Sequence, residues 1–260
     1  QLIDAAVAAE LIHAASLLHD DVVDGGMFRR GKPTVNARWG NTVAVMSGDF
    51  LLSNALLRLS TAEVRLTPSA LSTVAEMTRA AIAEVEARGH LDLSIDELRA
   101  IGEGKTGSLF GWCGVAAATI AGNSDALKSF DLFGRRIGVA FQMADDIRDL
   151  TGTDEGKPQY ADLQSRTPSL PMLIAIAKDA KLKRRIADAW AWSTMSPDKA
   201  RELGAAIIVT GAIDEAIVRV NAEIDAAVSA LGQHAHTQSG ANLVMWARAI
   251  ARGMAMKGAA

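Results

Sequence analysis

Two stretches of the sequence carry three aspartates in the order Asp-Asp-x-x-Asp: Asp20, Asp21 and Asp24 in one, Asp145, Asp146 and Asp149 in the other. Each closes a run of helically spaced apolar residues, over 2–24 and 125–150. At about 100° per residue, His13, Asp20 and Asp24 fall within roughly 40° of one another, with Ser16 and Asp21 on the flanks of that stripe. Gln142, Asp145, Asp146 and Asp149 share a face by the same arithmetic. Carboxylates at the C-terminal end of a helix sit against roughly half a negative charge from its unpaired carbonyls, so something positive must compensate. Aspartate oxygens are hard ligands suited to Mg²⁺, which takes one or two carboxylates, keeps water and completes its octahedron with phosphate oxygens. Two facing clusters would hold several magnesium ions around a diphosphate. One cluster alone would equally be a solvated helix end; two copies on apolar helices, each followed by a basic loop, favour the metal.

The loops supply partners for an anion. Arg29 and Arg30 offer planar, permanently charged forks, whereas Lys32 and Lys157 offer point charges. Lys105-Thr106 lies inside an apolar stretch, 95–121, framed by Gly104 and Gly107. A lysine there needs an anion or a route to water.

The elements that must position these groups read as helices almost throughout. Apolar residues recur at helical spacing, which makes the class all-α. Helices are predicted at 2–24, 41–60, 68–89, 95–121, 125–150, 169–178, 181–193, 198–209, 212–231 and 240–256. Loops at 25–33 and 151–168 leave the ends of the two aspartate-bearing helices, both unusually apolar, and helix 2–24, apolar on most of its circumference, is expected to be buried. With 260 residues, 49% hydrophobic, one large domain over 1–260 is expected, a single helical bundle around a central cavity. The chain starts at Gln1 inside a helix, so helices that belong before it are expected to be missing. A net charge of −3 gives no bulk attraction for nucleic acid or an anionic membrane. Cys113, the only cysteine, excludes an internal disulfide, and no secretory signal or uninterrupted apolar run of transmembrane length is evident. A cytoplasmic setting is expected. Trp190 and Trp192 read as helix-packing or interface residues, and His234-x-His236 as a solvated turn.

The segment Glu10 to Asp24, continued by Arg29-Arg30-Gly31-Lys32-Pro33-Thr34, resembles the first aspartate-rich motif and arginine pair of the trans-prenyltransferase, or polyprenyl diphosphate synthase, family. Lys105-Thr106, Phe141-Gln142 with Asp145-Asp146-Ile147-Arg148-Asp149, and Gly156-Lys157-Pro158 are similar to its downstream motifs, in order and at comparable spacing. The resemblance implies a magnesium-dependent condensation of an allylic diphosphate with isopentenyl diphosphate, three Mg²⁺ per active site, and a homodimer. It assigns Asp20, Asp24 and Asp145 as direct ligands, with Asp21, Asp146 and Asp149 as further ligands or supports. Arg29, Lys105 and Lys157 would hold the allylic diphosphate, and His13 and Arg30 isopentenyl diphosphate. Thr106, Phe141 and Gln142 would border the reacting carbons.

In that family, bulk just before the first motif blocks the growing tail. Ala15 and Ser16 are small, which implies a medium- or long-chain product unless Met46 or Phe50 stops the tail; Ala15→Phe is expected to shorten it. The chain departs from the family pattern at Val85, Gly89, Tyr160, normally glycine, and Thr167. Those departures motivate an alternative, a non-catalytic subunit of a heteromeric synthase. A class I terpene cyclase is disfavoured by the second Asp-Asp-x-x-Asp, and a His-Asp metal phosphohydrolase leaves that cluster unexplained.

Overall fold

The computed structural model describes residues 1–152, 159–191 and 194–255, the last five by their main chain alone. The chain is all-α. The order is α1 (Leu2–Val23), a two-residue hairpin β1 (Phe28–Arg29) and β2 (Lys32–Pro33), α2 (Val35–Trp39), α3 (Asn41–Ala62), α4 (Thr67–Glu86) and α5 (Ile95–Gly102). A π-helical turn, Glu103–Gly107, leads into α6 (Ser108–Ile120) and α7 (Leu127–Thr151). Then follow α8 (Ala161–Ser165), α9 (Leu170–Lys178), α10 (Ala180–Trp190), α11 (Pro197–Val209), α12 (Ala212–Ala230) and α13 (Gln238–Ala255).

Helix limits follow local chemistry. A capping box starts α5, where the Ser94 hydroxyl accepts from Glu97 N–H and the Glu97 carboxylate accepts from Ser94 N–H. Asp179 and Ser196 cap α10 and α11 in the same sense. Gly152, at φ +71°, stops α7 in the left-handed region.

Two apolar clusters hold the helices. The larger joins α7 to α9–α12 through residues such as Ile137, Leu170, Ile186, Leu203 and Val220, all at or near zero exposure. Trp190 belongs to it, its indole N–H donating to Leu163 O at 2.9 Å, as expected of a packing residue; Trp192 lies outside the described residues. The smaller cluster joins α1, α3, α4 and α6 through Ile12, Leu59, Ala70 and Trp112.

The expectation that α1 lies in the interior does not hold. Ala5, Ala8, Ile12 and Ala15 form one buried stripe, while Leu2, Ile3 and Val23 are half-exposed or more. The reason is placement: α1 has its contacts along α3 and α6, which cover one side of it. By length and mean hydropathy, 1.4 over 18 residues, it would be able to cross a membrane, but its C-terminal aspartates are engaged with protein groups.

The predicted helix 95–121 is interrupted. Its middle widens into the π-helical turn, which packs against both α4 and α7. A Cβ on Gly104 would come within 2.7 Å of Ala80 Cβ, and one on Gly107 within 2.7 Å of Arg135 O. These glycines let the turn approach its neighbours more closely than any side chain permits. Single π turns of this kind recur at functional sites.

Candidate active site

Helix α1 brings Asp20 and Asp24 to its C-terminal end. The chain then reverses over Gly25 and Gly26, and Thr34 and Asn36 tie it down: Thr34 Oγ1 donates to Gly26 O at 2.7 Å, and Asn36 Nδ2 to Gly26 O at 3.0 Å and Asp21 O at 3.2 Å. The hairpin pairs Arg29 with Lys32 across Arg30 and Gly31, at φ +51° and +73°. Positive φ at both central residues is the signature of a type I′ turn, whose twist matches the flanking strands. Arg29 is thereby directed back onto Asp21, with Nη2 at 2.8 Å and Nε at 3.1 Å from Oδ1. That contact, together with neighbouring Asp20 and Asp24, holds the Arg29 guanidinium above its already high ordinary pKa.

Asp20 faces Lys105, which reaches down from the π-helical turn. The Lys105 ammonium lies 2.5 Å from Glu84 Oε2 on α4 and 3.8 Å from Asp20 Oδ2. Burial holds the Asp20 carboxyl above the usual range; Lys105 pulls it down, while Asp24 and Glu84 push it up. Burial opposes the charge of Lys105, yet Glu84, Asp20 and Asp24 together raise its pKa. The next residue turns the other way: Thr106 Oγ1 donates to Gln142 Oε1 at 3.3 Å, and Gln142 Nε2 donates to Asp146 Oδ1 at 3.4 Å. The π-helical turn thus stands between the two acidic helix ends and contacts both. Glu84 acts on Asp20 and Asp146 alike, so the clusters share one electrostatic field.

The second motif divides in a way its spacing does not show. Asp145 is partly exposed and accepts from Arg148 at 3.0 Å, and Arg148 lies 5.5 Å over the Phe141 ring. Asp146 turns inward and accepts the first N–H of α9, Leu170 N, at 2.9 Å. Burial pushes its carboxyl up to about 7. Asp149 also turns inward, accepting from Ala161 N at 2.9 Å and Asp162 N at 3.3 Å at the start of α8.

Of six aspartates weighed as ligands, Asp20, Asp24 and Asp145 therefore present carboxylates toward solvent. Asp21, Asp146 and Asp149 are nine-tenths buried, their oxygens taken by protein donors. Of the two roles expected of these three, further ligand or support, such contacts suit support, because leaving the Leu170, Ala161 and Asp162 N–H groups unmet would cost about 1–3 kcal/mol each. Among the described residues no three His, Cys, Asp or Glu side chains converge into a closed metal cage. Mg²⁺ takes few carboxylates and relies on phosphate oxygens, so the partly exposed Asp20, Asp24 and Asp145 would hold it only together with a bound phosphate.

The other expected positions differ in exposure. His13 is exposed on the α1 stripe, and Arg30 is exposed at the hairpin tip. Lys157 lies outside the described residues. Ala15, expected on the tail path, is 2% exposed and closed in by packing, so a phenyl there would disrupt the core before it reported on length. Ser16 is half-buried, its hydroxyl donating to His13 O at 2.8 Å. Met46 and Phe50, considered as tail stops, are 63% and 68% exposed and face away from the packed interior.

The departures acquire physical reasons. Tyr160 has φ +64°, which explains why glycine suits that position; its ring occupies space that a Cβ on Gly204 would overlap. Gly89 has φ +81° and donates its N–H to Arg166 O at 2.8 Å. Two groups at the site were not singled out by sequence reasoning: Glu84, which bonds Lys105, and Arg88, which bonds Asp24. Their separation from the aspartates along the chain leaves no periodic signal.

An all-helical frame with paired aspartate clusters at two helix ends, linked through the π-helical turn that carries Lys105 and Thr106, defines an isoprenoid-synthase type of protein. The profile of the family described as polyprenyl synthetase matches residues 1–207, and the chain belongs to that family. It is 37% identical over 195 residues to the (2E,6E)-farnesyl diphosphate synthase of Mycobacterium bovis, covering 72% of this chain and 54% of that one. Heptaprenyl diphosphate synthase component 2 of Geobacillus stearothermophilus is 36% identical over 186 residues, covering 70% and 58%. A polyprenyl synthase from Caulobacter crescentus, crystallised with calcium and isoprenyl diphosphate, superposes with a TM-score of 0.90 at 29% identity, covering 95% and 77%. The chain spans little more than half the length of those two curated relatives.

Proposed function

We propose that this protein is a magnesium-dependent prenyltransferase, condensing an allylic diphosphate with isopentenyl diphosphate to a trans-polyprenyl diphosphate longer than farnesyl. The observation that carries this reading is the division of the six aspartates. Asp20, Asp24 and Asp145 are partly exposed, Asp20 beside Lys105, while Asp21, Asp146 and Asp149 lock Arg29, α9 and α8 in place. Mg²⁺, up to three ions with diphosphate bound, would supply charge neutralisation of the leaving group.

The chain's own residues do the rest. Lys105 and Arg29, with Lys157, offer cations to the allylic diphosphate, and Arg30 and His13 to isopentenyl diphosphate. As the allylic C–O bond breaks, its electron pair leaves with diphosphate, and fixed positive groups stabilise that charge without reorganising. The isopentenyl double bond forms the new C–C bond, and a proton passes to the released diphosphate. Gln142 and Thr106 present dipoles rather than full charges beside the reacting carbons, and Phe141 an apolar ring. Gln142 keeps its orientation because its amide is held by Thr106 on one side and Asp146 on the other.

Incubation with Mg²⁺, isopentenyl diphosphate and allylic primers tests the reaction; product only when a second chain is added would favour the subunit reading. Ser16→Phe is the length test. Residue 16 lies one helical turn, about 6 Å, before Asp20, so a ring there meets the tail and not the diphosphate. Shorter products with the first condensation intact are expected by chromatography at equal conversion, and an unchanged distribution would defeat the long-product reading.

A homodimer is part of the proposal. Val43, Met46, Phe50 and Leu57 give α3 an exposed apolar face with an open groove of about 500 Å³. Light scattering is expected to give twice the chain mass, and Phe50→Glu to shift it towards monomer. Monomer alone for the unaltered protein at micromolar concentration would count against this.

A further inference from the structure

Helix α1 ends in carboxylates and has no basic residue in its last turn, so the negative end of its dipole is not compensated from within the helix. Compensation arrives from the end of α4. Ala87 and Arg88 follow Glu86 with their N–H groups on Ala83 O and Val85 O, at 2.9 and 3.2 Å. Gly89 then turns the chain in the left-handed region, which only glycine adopts readily, and its N–H is fixed on Arg166 O. Arg88 is thus aimed at α1. Its Nη2 donates to Asp24 Oδ1 and its Nη1 to Val23 O at 3.4 Å.

The pairing is one-sided. Arg88 is 24% exposed and Asp24 48%. Arg88 Nε is buried and has no hydrogen-bond partner, so the guanidinium meets Asp24 through one nitrogen and leaves a desolvated donor unmet. Arg29 on Asp21 makes a fuller contact, with Nε and Nη2 on the same carboxylate. Of the two arginine–aspartate pairs at this helix end, one is built to stay and the other to open.

We propose that Arg88 is a positioning residue that occupies Asp24 in the metal-free protein and is displaced from it by the divalent cation, so that guanidinium and metal compete for one carboxylate. This rests on the reading of Asp24 as a metal ligand. Arg88 keeps the first cluster from repelling itself apart while empty, and in doing so it weakens metal binding.

Mn²⁺ alone, titrated with free ion counted by electron paramagnetic resonance, is the probe. Arg88→Met is expected to bind Mn²⁺ about fivefold more tightly, the factor for losing one partly exposed ion pair. It should also melt lower without metal and gain more on adding Mn²⁺. Removing a positive charge would tighten binding at any nearby site, so the same substitution is made beside Asp24→Asn, where the gain should vanish. An unchanged or weaker affinity in folded Arg88→Met, or an undiminished gain beside Asp24→Asn, overturns the competition. Should Asp24→Asn itself leave Mn²⁺ affinity unchanged, the metal assignment of Asp24 fails first, and the competition with it.

Discussion

Asp20→Ala and Asp145→Ala are each expected to lower turnover by at least about a hundredfold, since each removes an anion whose contribution to charge stabilisation is several kcal/mol. Asp20 sits 3.8 Å from the Lys105 ammonium, with burial already raising its carboxyl pKa. A group in that position binds a cation more strongly than a solvated carboxylate does, because less water screens it. Without Asp20, Lys105 keeps Glu84 at 2.5 Å but loses its link to the first motif. Asp145 has the corresponding place at the end of α7. The comparison that sharpens the test is Asp149→Asn. Its carboxylate holds two N–H groups at the start of α8, so the loss should appear first in stability, with metal dependence retained. Steady-state assays over a range of Mg²⁺, with circular dichroism to establish folding, separate the cases. Undiminished turnover in folded Asp20→Ala or Asp145→Ala would defeat the metal assignment.

Gly138→Ala is expected to destabilise the protein by about 1–3 kcal/mol or more, although it adds a single methyl group. A Cβ at 138 would overlap Gly107 Cα and lie 2.6 Å from Gly107 N and 3.0 Å from Thr106 C. All three are backbone atoms and cannot rotate away. The helix would have to withdraw from the π-helical turn, and Thr106 would lose its reach to Gln142. Gly102→Ala is the control. Its Cβ would meet only Gln142 side-chain carbon at 3.5 Å, an ordinary contact, and alanine gains up to about 1 kcal/mol of helix propensity. Urea unfolding of both variants should move in opposite directions or, for Gly102→Ala, barely at all. A Gly138→Ala protein as stable as the unaltered one would show that the close approach of α7 to residues 103–107 is not rigid.

The sequence by itself determined the helical class and most helix limits, because 3.6-residue periodicity, caps and glycine stops act within a few residues. It also located both acidic clusters and Lys105-Thr106, since those groups share a helix face or a short motif. The short helices α2 and α8 were missed, having too few residues to show a period. The π-helical turn was missed for another reason: its widening is imposed by the close contacts of Gly104 and Gly107 with other helices. Burial of α1 was overestimated because apolar composition fixes what a face tolerates, not what covers it. Tertiary structure alone decided which aspartate of each motif turns outward. In α1, Arg29 returns through the hairpin to claim Asp21; in α7, the starts of α9 and α8 claim Asp146 and Asp149. Arg88 reaches Asp24 across 64 residues of chain. Local spacing cannot encode such pairings, because they depend on where other segments pack and on the cost of leaving their buried donors unmet.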